Sequence, residues 1–172
     1  MRLLQHRMNK LIYSFAAATL LAACASPFGG ADMPPGTPRD QVIARMGQPT
    51  RVVPLADGSQ RLQYSLQPMG QYAWMVDLDA SGRLIRSRQV MNQADFERIV
   101  PGQWSRADVE REFGPPARVD SVGSWNGPVM TYRWKDIQNA DMFYWVYLDG
   151  QGIVRRAHPG MEFRDRFFDF QR

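Results

Sequence analysis

Val109-Glu110-Arg111-Glu112-Phe113-Gly114-Pro115-Pro116 repeats the spacing and punctuation of an earlier stretch, Val42-Ile43-Ala44-Arg45-Met46-Gly47-Gln48-Pro49. In each, two apolar residues stand four apart and so share one face of a helix. A glycine follows that can take the left-handed conformation ending a helix, and a proline prevents its resumption. The repetition extends in both directions, and from it the fold class follows.

Upstream of the first copy, Thr37-Pro38-Arg39-Asp40 offers a hydroxyl N-cap, a proline at the first helical position and a carboxylate three residues on. Upstream of the second, Ser105 and Asp108 offer the same cap, although in the helix register Ser105 matches Pro38 rather than Thr37. Downstream, four strands are expected over about 51–55, 60–66, 71–79 and 83–90, separated by Asp57-Gly58, Gln67-Pro68-Met69-Gly70 and Ala80-Ser81-Gly82. They return over about 117–122, 129–134, 142–149 and 153–158. Leu78-Asp79-Ala80-Ser81-Gly82 matches Leu148-Asp149-Gly150-Gln151-Gly152, and Tyr64 matches Tyr132. The offset grows from 67 residues at the helix to 70 at the last hairpin, as loop insertions would produce. Between the copies, Asn92 and Asp95 open a further short helix, with Phe96, Ile99 and Val100 on one face and Pro101-Gly102 ending it. The expectation is an α+β protein, a tandem repeat of short helices packed on a four-stranded antiparallel meander, the two meanders able to join as one continuous eight-stranded sheet.

The N-terminus has a different character. Arg2, Arg7 and Lys10 precede an apolar run from Leu11 to Ala23 interrupted only by Ser14 and Thr19. A membrane span needs about 20 apolar residues, so the run reads as a secretory signal. It ends in Leu21-Ala22-Ala23-Cys24, which resembles the bacterial lipobox, where cleavage precedes a cysteine carrying a diacylglycerol thioether. Cys24 is the only cysteine among the 172 residues, so no internal disulfide framework is possible. A single acyl chain holds a protein to a membrane only marginally, at about 0.8 kcal/mol per buried methylene, whereas lipoproteins of the resembled type carry two or three. Ala25 and Ser26 stand where an inner-membrane retention signal would resemble aspartate, so the expected address is the outer membrane. The boundaries expected are a signal peptide at 1–23, a Gly- and Pro-rich tether at 24–35, repeats at 36–91 and 92–159, and an aromatic, charged tail at 160–172.

Composition limits function. Hydrophobic residues make up 44% and charged residues 22%, the balance of an ordinary globular protein. Removing Arg2, Arg7 and Lys10 from the 21 basic residues leaves 18 against 17 acidic ones, so the mature chain has no electrostatic footprint for nucleic acid. Only His6 and His158 occur, and His6 lies in the signal segment, so no histidine pair is available for a metal. No Gly-x-Ser-x-Gly elbow and no glycine-rich phosphate loop appears. Asp79 and Asp149 stand in turns, where aspartate bonds its local backbone. The residues point to no enzyme, cofactor or small-molecule substrate.

Strand alternation indicates a binding face. In the third strand of the first copy Tyr72, Trp74, Val76 and Leu78 share the face expected to meet the helix, and Ala73, Met75 and Asp77 share the other. In the second copy Met142, Tyr144, Val146 and Leu148 match the first set, while the opposite face carries Phe143, Trp145 and Tyr147. Arg133 on the adjacent strand falls on that aromatic face. Clustered aromatics with an arginine have the composition of a binding hot spot, unless the other repeat or the four-phenylalanine tail covers them.

Residues 36–49 and 102–116 resemble the Gly-x-Thr/Ser…Val-x-x-x-Φ-Gly-x-Pro signature, Φ being apolar, of the small outer-membrane lipoproteins called SmpA/OmlA or BamE. Asp95-Phe96-Glu97-Arg98-Ile99-Val100-Pro101-Gly102 is similar to the helix preceding that signature. The resemblance implies a helix pair on an antiparallel sheet and an accessory role in the machine that inserts β-barrels into the outer membrane, with barrel-assembly subunits as partners. This chain departs from the pattern in carrying two units. Two repeats also resemble the β-lactamase inhibitory proteins, which implies the alternative of an anchored inhibitor or scaffold for a periplasmic enzyme or cell-wall component.

Overall fold

The computed structural model describes residues 32–163; Cys24, the signal segment, the tether up to Ala31 and the tail from Arg164 lie outside the described residues. In chain order the elements are α1 (Arg39–Met46), β1 (Arg51–Pro54), β2 (Gln60–Ser65), β3 (Ala73–Leu78), β4 (Leu84–Gln89), α2 (Gln93–Phe96), α3 (Arg106–Phe113), β5 (Arg118–Ser121), β6 (Pro128–Lys135), β7 (Asp141–Leu148) and β8 (Val154–Met161). Strands β1 to β4 form one antiparallel meander, sheet 1, and β5 to β8 form a second, sheet 2. The continuous eight-stranded sheet left open by the sequence does not form.

The duplication reaches individual atoms. Tyr64 and Tyr132 donate their phenolic hydrogens to Gly47 O and Gly114 O, the residues ending α1 and α3. The Asp79 and Asp149 carboxylates each accept two backbone N–H bonds across their hairpins. A bulge shifts the register at Asp77/Leu78 and again at Tyr147/Leu148. Isolated bridges join Pro38 to Arg83 and Ser105 to Ile153, which fixes Pro38 as the counterpart of Ser105. Ser105 and Asp108 close a capping box on α3, but α1 begins after Pro38 with no side-chain cap. The Thr37 hydroxyl expected at that cap instead donates to Pro34 O.

The two sheets are stacked through a helix layer. Val42 and Met46 of α1 are buried with Leu62, Tyr64, Val76 and Leu78 on one face of sheet 1. Its other face carries Arg61, Gln63, Ala73, Met75 and Asp77, all buried. The Gln63 amide donates to Glu110 O at 2.8 Å and to Arg111 O at 3.0 Å, while Ala73 and Met75 join the core of the second repeat. The layer order is therefore α1, sheet 1, α2 with α3, sheet 2. The second core centres on Phe96, whose ring stacks on Tyr144 at 4.2 Å and on Phe113 at 4.8 Å. Two apolar positions differ from expectation. Val100 is exposed, because α2 ends at Phe96 and the chain turns before reaching it. Tyr72 is also exposed, since it precedes β3 and does not share the strand's alternation.

An ion cluster joins sheet 1 to α3. Arg61 makes a two-pronged pair with Asp77 (Nε–Oδ1 2.6 Å, Nη2–Oδ2 3.0 Å) and reaches Glu112 at 2.9 Å. Burial alone would raise the Asp77 pKa, but the hydrogen bonds and charges of Arg61 and Arg86 outweigh it and hold the carboxyl below its ordinary 3.8. A depressed carboxylate contributes stability that is complete above the unfolded pKa and is lost as pH falls through the folded one. Acidification below about 4 is therefore expected to weaken this junction. Urea midpoints measured against pH should fall more steeply for the parent chain than for Asp77→Asn.

Candidate functional site

Alternation in β7 separates core from surface. Tyr144, Val146 and Leu148 are buried, whereas Phe143, Trp145 and Tyr147 are half-buried on the opposite face. In β3, by contrast, Met75 and Asp77 at the matching outward positions are buried, because α3 covers them. The structure thus brings the three expected aromatics together, and sheet 1 does not cover them.

The ladder fixes their neighbours. Trp145 pairs with Thr131 on one side and His158 on the other; Tyr147 pairs with Val129 and Arg156; Phe143 pairs with Arg133 and Gly160. Phe143 and Trp145 ring centroids lie 5.7 Å apart, and the His158 ring stands 5.4 Å from both Trp145 and Tyr147. The Arg118 and Arg156 guanidiniums lie over the Phe143 and Tyr147 rings, each 5.4 Å from the centroid, within cation–π range. A groove of about 260 Å³ runs between β5 and β7, with Arg118, Val129, Thr131, Trp145 and Tyr147 in its wall. Thr131 Oγ1 and His158 Nε2 are buried on this face with no hydrogen-bond partner among the described residues.

Arg133 shares the face, as its register requires, but all three of its guanidinium nitrogens are engaged. Nε and Nη2 bond Glu162, with Nη2–Oε1 at 2.6 Å, and Nη1 donates to Pro68 O and Met69 O. The Gln67 side-chain amide meanwhile pairs with Arg133 N and O, completing the ladder where β5 has not begun. Arg133 is thus the tie between the β2–β3 turn and the end of β8, and it positions the face. Strand β8 continues to Met161, beyond the His158 limit expected, because Glu162 N bonds Asp141 O.

Trp125 was not anticipated from alternation. It sits in the β5–β6 loop, donates its indole N–H to Leu148 O at 2.7 Å and meets Tyr147 edge-on at 5.3 Å, extending the aromatic row. The signal was a one-residue lengthening of this loop, 122–127 against 55–59 in the first copy, with a tryptophan in it. Gly160 is required beneath Trp145, since a Cβ there would come within 2.3 Å of the indole. Gly160→Ala is expected to displace that ring at a cost of about 1 kcal/mol in denaturant unfolding.

Among the described residues no group of three or more His, Cys, Asp or Glu is placed to hold a metal ion, and no helix is long and apolar enough to cross a membrane. No family model and no curated relative matches the chain. Among solved structures it is similar to a DUF4309 family protein (YjgB) from Bacillus subtilis subsp. subtilis str. 168, at 14% identity over 73% of this chain and 78% of that one. The TM-score of that likeness is 0.31, and it carries no argument about fold or activity.

Proposed function

We propose that this chain is a non-catalytic, lipid-anchored protein of the periplasmic face of the outer membrane, and that it binds another protein in envelope or β-barrel assembly. One observation supports the binding role above the others. Phe143, Trp145 and Tyr147 present an aromatic surface at the positions where sheet 1 already makes an interface with a helix. Aromatic anchors flanked by arginine are the residues that dominate binding energy at protein interfaces. The membrane address rests on the lipobox resemblance at Cys24, and the assembly role on the SmpA/OmlA resemblance.

A photo-reactive phenylalanine analogue at position 145 of the full-length lipoprotein tests the binding face. Covalent adducts are expected from position 145 and not from the exposed Gln138. Adducts containing barrel-assembly subunits support the assembly role; equal labelling from both positions counts against the face. Cys24→Ser is expected to release the protein from outer-membrane fractions, and continued partition with them would refute the anchor.

A further inference from the structure

The stack has two unlike ends. Sheet 1 is covered by α1 on one face and by α3 on the other, whereas sheet 2 has α2 and α3 on its inner face and no helix among the described residues on its outer one. At the opposite end α1 has, among the described residues, a sheet on one side only, with Ala44 and Arg45 exposed and Ile43 half-buried beside the turn residues Ser81, Gly82 and Arg83.

The junction inside the chain shows how these ends would meet. There Arg51 pairs with Glu110 at 3.2 Å, Gln63 donates to Glu110 O and Arg111 O, and Met75 Cε lies 3.5 Å from the site of a Cβ on Gly114. The repeat register carries each sheet residue to a counterpart on the outer face of sheet 2: Arg51 to Arg118, Arg61 to Val129, Gln63 to Thr131, Met75 to Trp145 and Asp77 to Tyr147. It carries Glu110, Arg111 and Gly114 to Ile43, Ala44 and Gly47.

Both free ends have changed in the same sense. The sheet side replaces the buried Arg61 and Asp77 with Val129 and Tyr147, and the helix side replaces Glu110 and Arg111 with Ile43 and Ala44. Two ion pairs that cross the inner junction are not carried over: Arg51–Glu110 maps to Arg118 opposite Ile43, and Arg61–Glu112 maps to Val129 opposite the exposed Arg45. Thr131, standing for Gln63, has the buried hydroxyl without a partner among the described residues, and in the same geometry it would face the carbonyls of Ile43 and Ala44.

We propose that the outer face of sheet 2 docks the outer face of α1 from a second copy of this chain, continuing the internal stack head to tail. This rests on the reading of that face as protein-binding and names its occupant. Such an interface is heterologous, so each copy keeps one free end and assemblies extend beyond a dimer unless they close into a ring.

Cysteine cross-linking in envelopes of cells making the full-length lipoprotein tests it, with Ile43→Cys and Arg118→Cys as counterparts of the paired Glu110 and Arg51. With a short bismaleimide, a chain carrying both cysteines should give a ladder of dimers and higher species. Two chains carrying one each should give a dimer only when co-expressed, and neither alone should give product beyond the parent with Cys24. Adding Trp145→Ala to the double-cysteine chain should lower the ladder about tenfold. Absence of a ladder, or equal product from one single-cysteine chain alone, overturns the proposal. Adducts of a different protein at position 145 without a ladder overturn self-docking and leave the binding role standing; no adduct and no ladder overturn both.

Discussion

Arg61→Ala is expected to destabilise the protein by about 3–5 kcal/mol, because it leaves two carboxylates in a dry junction without their shared cation. The Arg61 side chain is 4% exposed, Asp77 7% and Glu112 12%. The guanidinium also donates to Arg111 O at 3.1 Å, so the substitution removes part of the cap on the carbonyl end of α3. Glu112 retains Arg88, Arg98 and Arg111 within 3.7 Å, whereas Asp77 retains the exposed Arg86 at 2.9 Å, so the heavier loss falls on Asp77. A companion variant separates removal of the charge from exposure of its partner. Arg61→Met with Asp77→Leu takes out both ions and fills the space with apolar atoms, as Val129 and Tyr147 do at the equivalent positions. It should recover most of the stability, since replacing a buried pair with well-packed apolar groups is often neutral or better. Urea unfolding of both variants checks this; a loss below about 1 kcal/mol for Arg61→Ala would place the junction in water.

That junction also explains which parts of the architecture were legible. The helix-ending Gly-Pro punctuation and the Leu-Asp-x-x-Gly hairpins are local signals, and they correctly mark two units of one helix and four strands. The layer order was not legible, because Arg61, Gln63 and Asp77 read as a solvent face by hydropathy. Their burial depends on charges and amides meeting partners about 50 residues away on α3, which no single strand reveals. The aromatic face was legible because β7 alternates cleanly against one buried side. The role of Arg133 was not, since its partners Pro68, Met69 and Glu162 become neighbours only when the β2–β3 turn crosses the end of sheet 2.

Phe96→Ala is the second large effect, an expected loss of about 3–5 kcal/mol, the range for truncating a buried aromatic. Helix α2 is one turn long and too short to persist on its own, so the burial of Phe96 holds it in place. The ring stacks on Tyr144 with planes 6° apart, on Phe113 at 4.8 Å, and meets the Trp134 edge at 5.8 Å. Removing it opens a cavity directly behind β7, the strand that carries Phe143, Trp145 and Tyr147 on its other side. Stability and capture at the outer face should therefore fall together for Phe96→Ala, measured by urea unfolding and by cross-linking through cysteines at positions 43 and 118. Trp145→Ala should behave differently, reducing capture while leaving the unfolding midpoint within about 1 kcal/mol, since a half-buried ring outside the core gives up less burial. If the two variants lose stability equally, Trp145 belongs to the core and the outer face has no free anchor. If only Phe96→Ala unfolds easily, the two faces of one strand divide between holding the fold and meeting a partner.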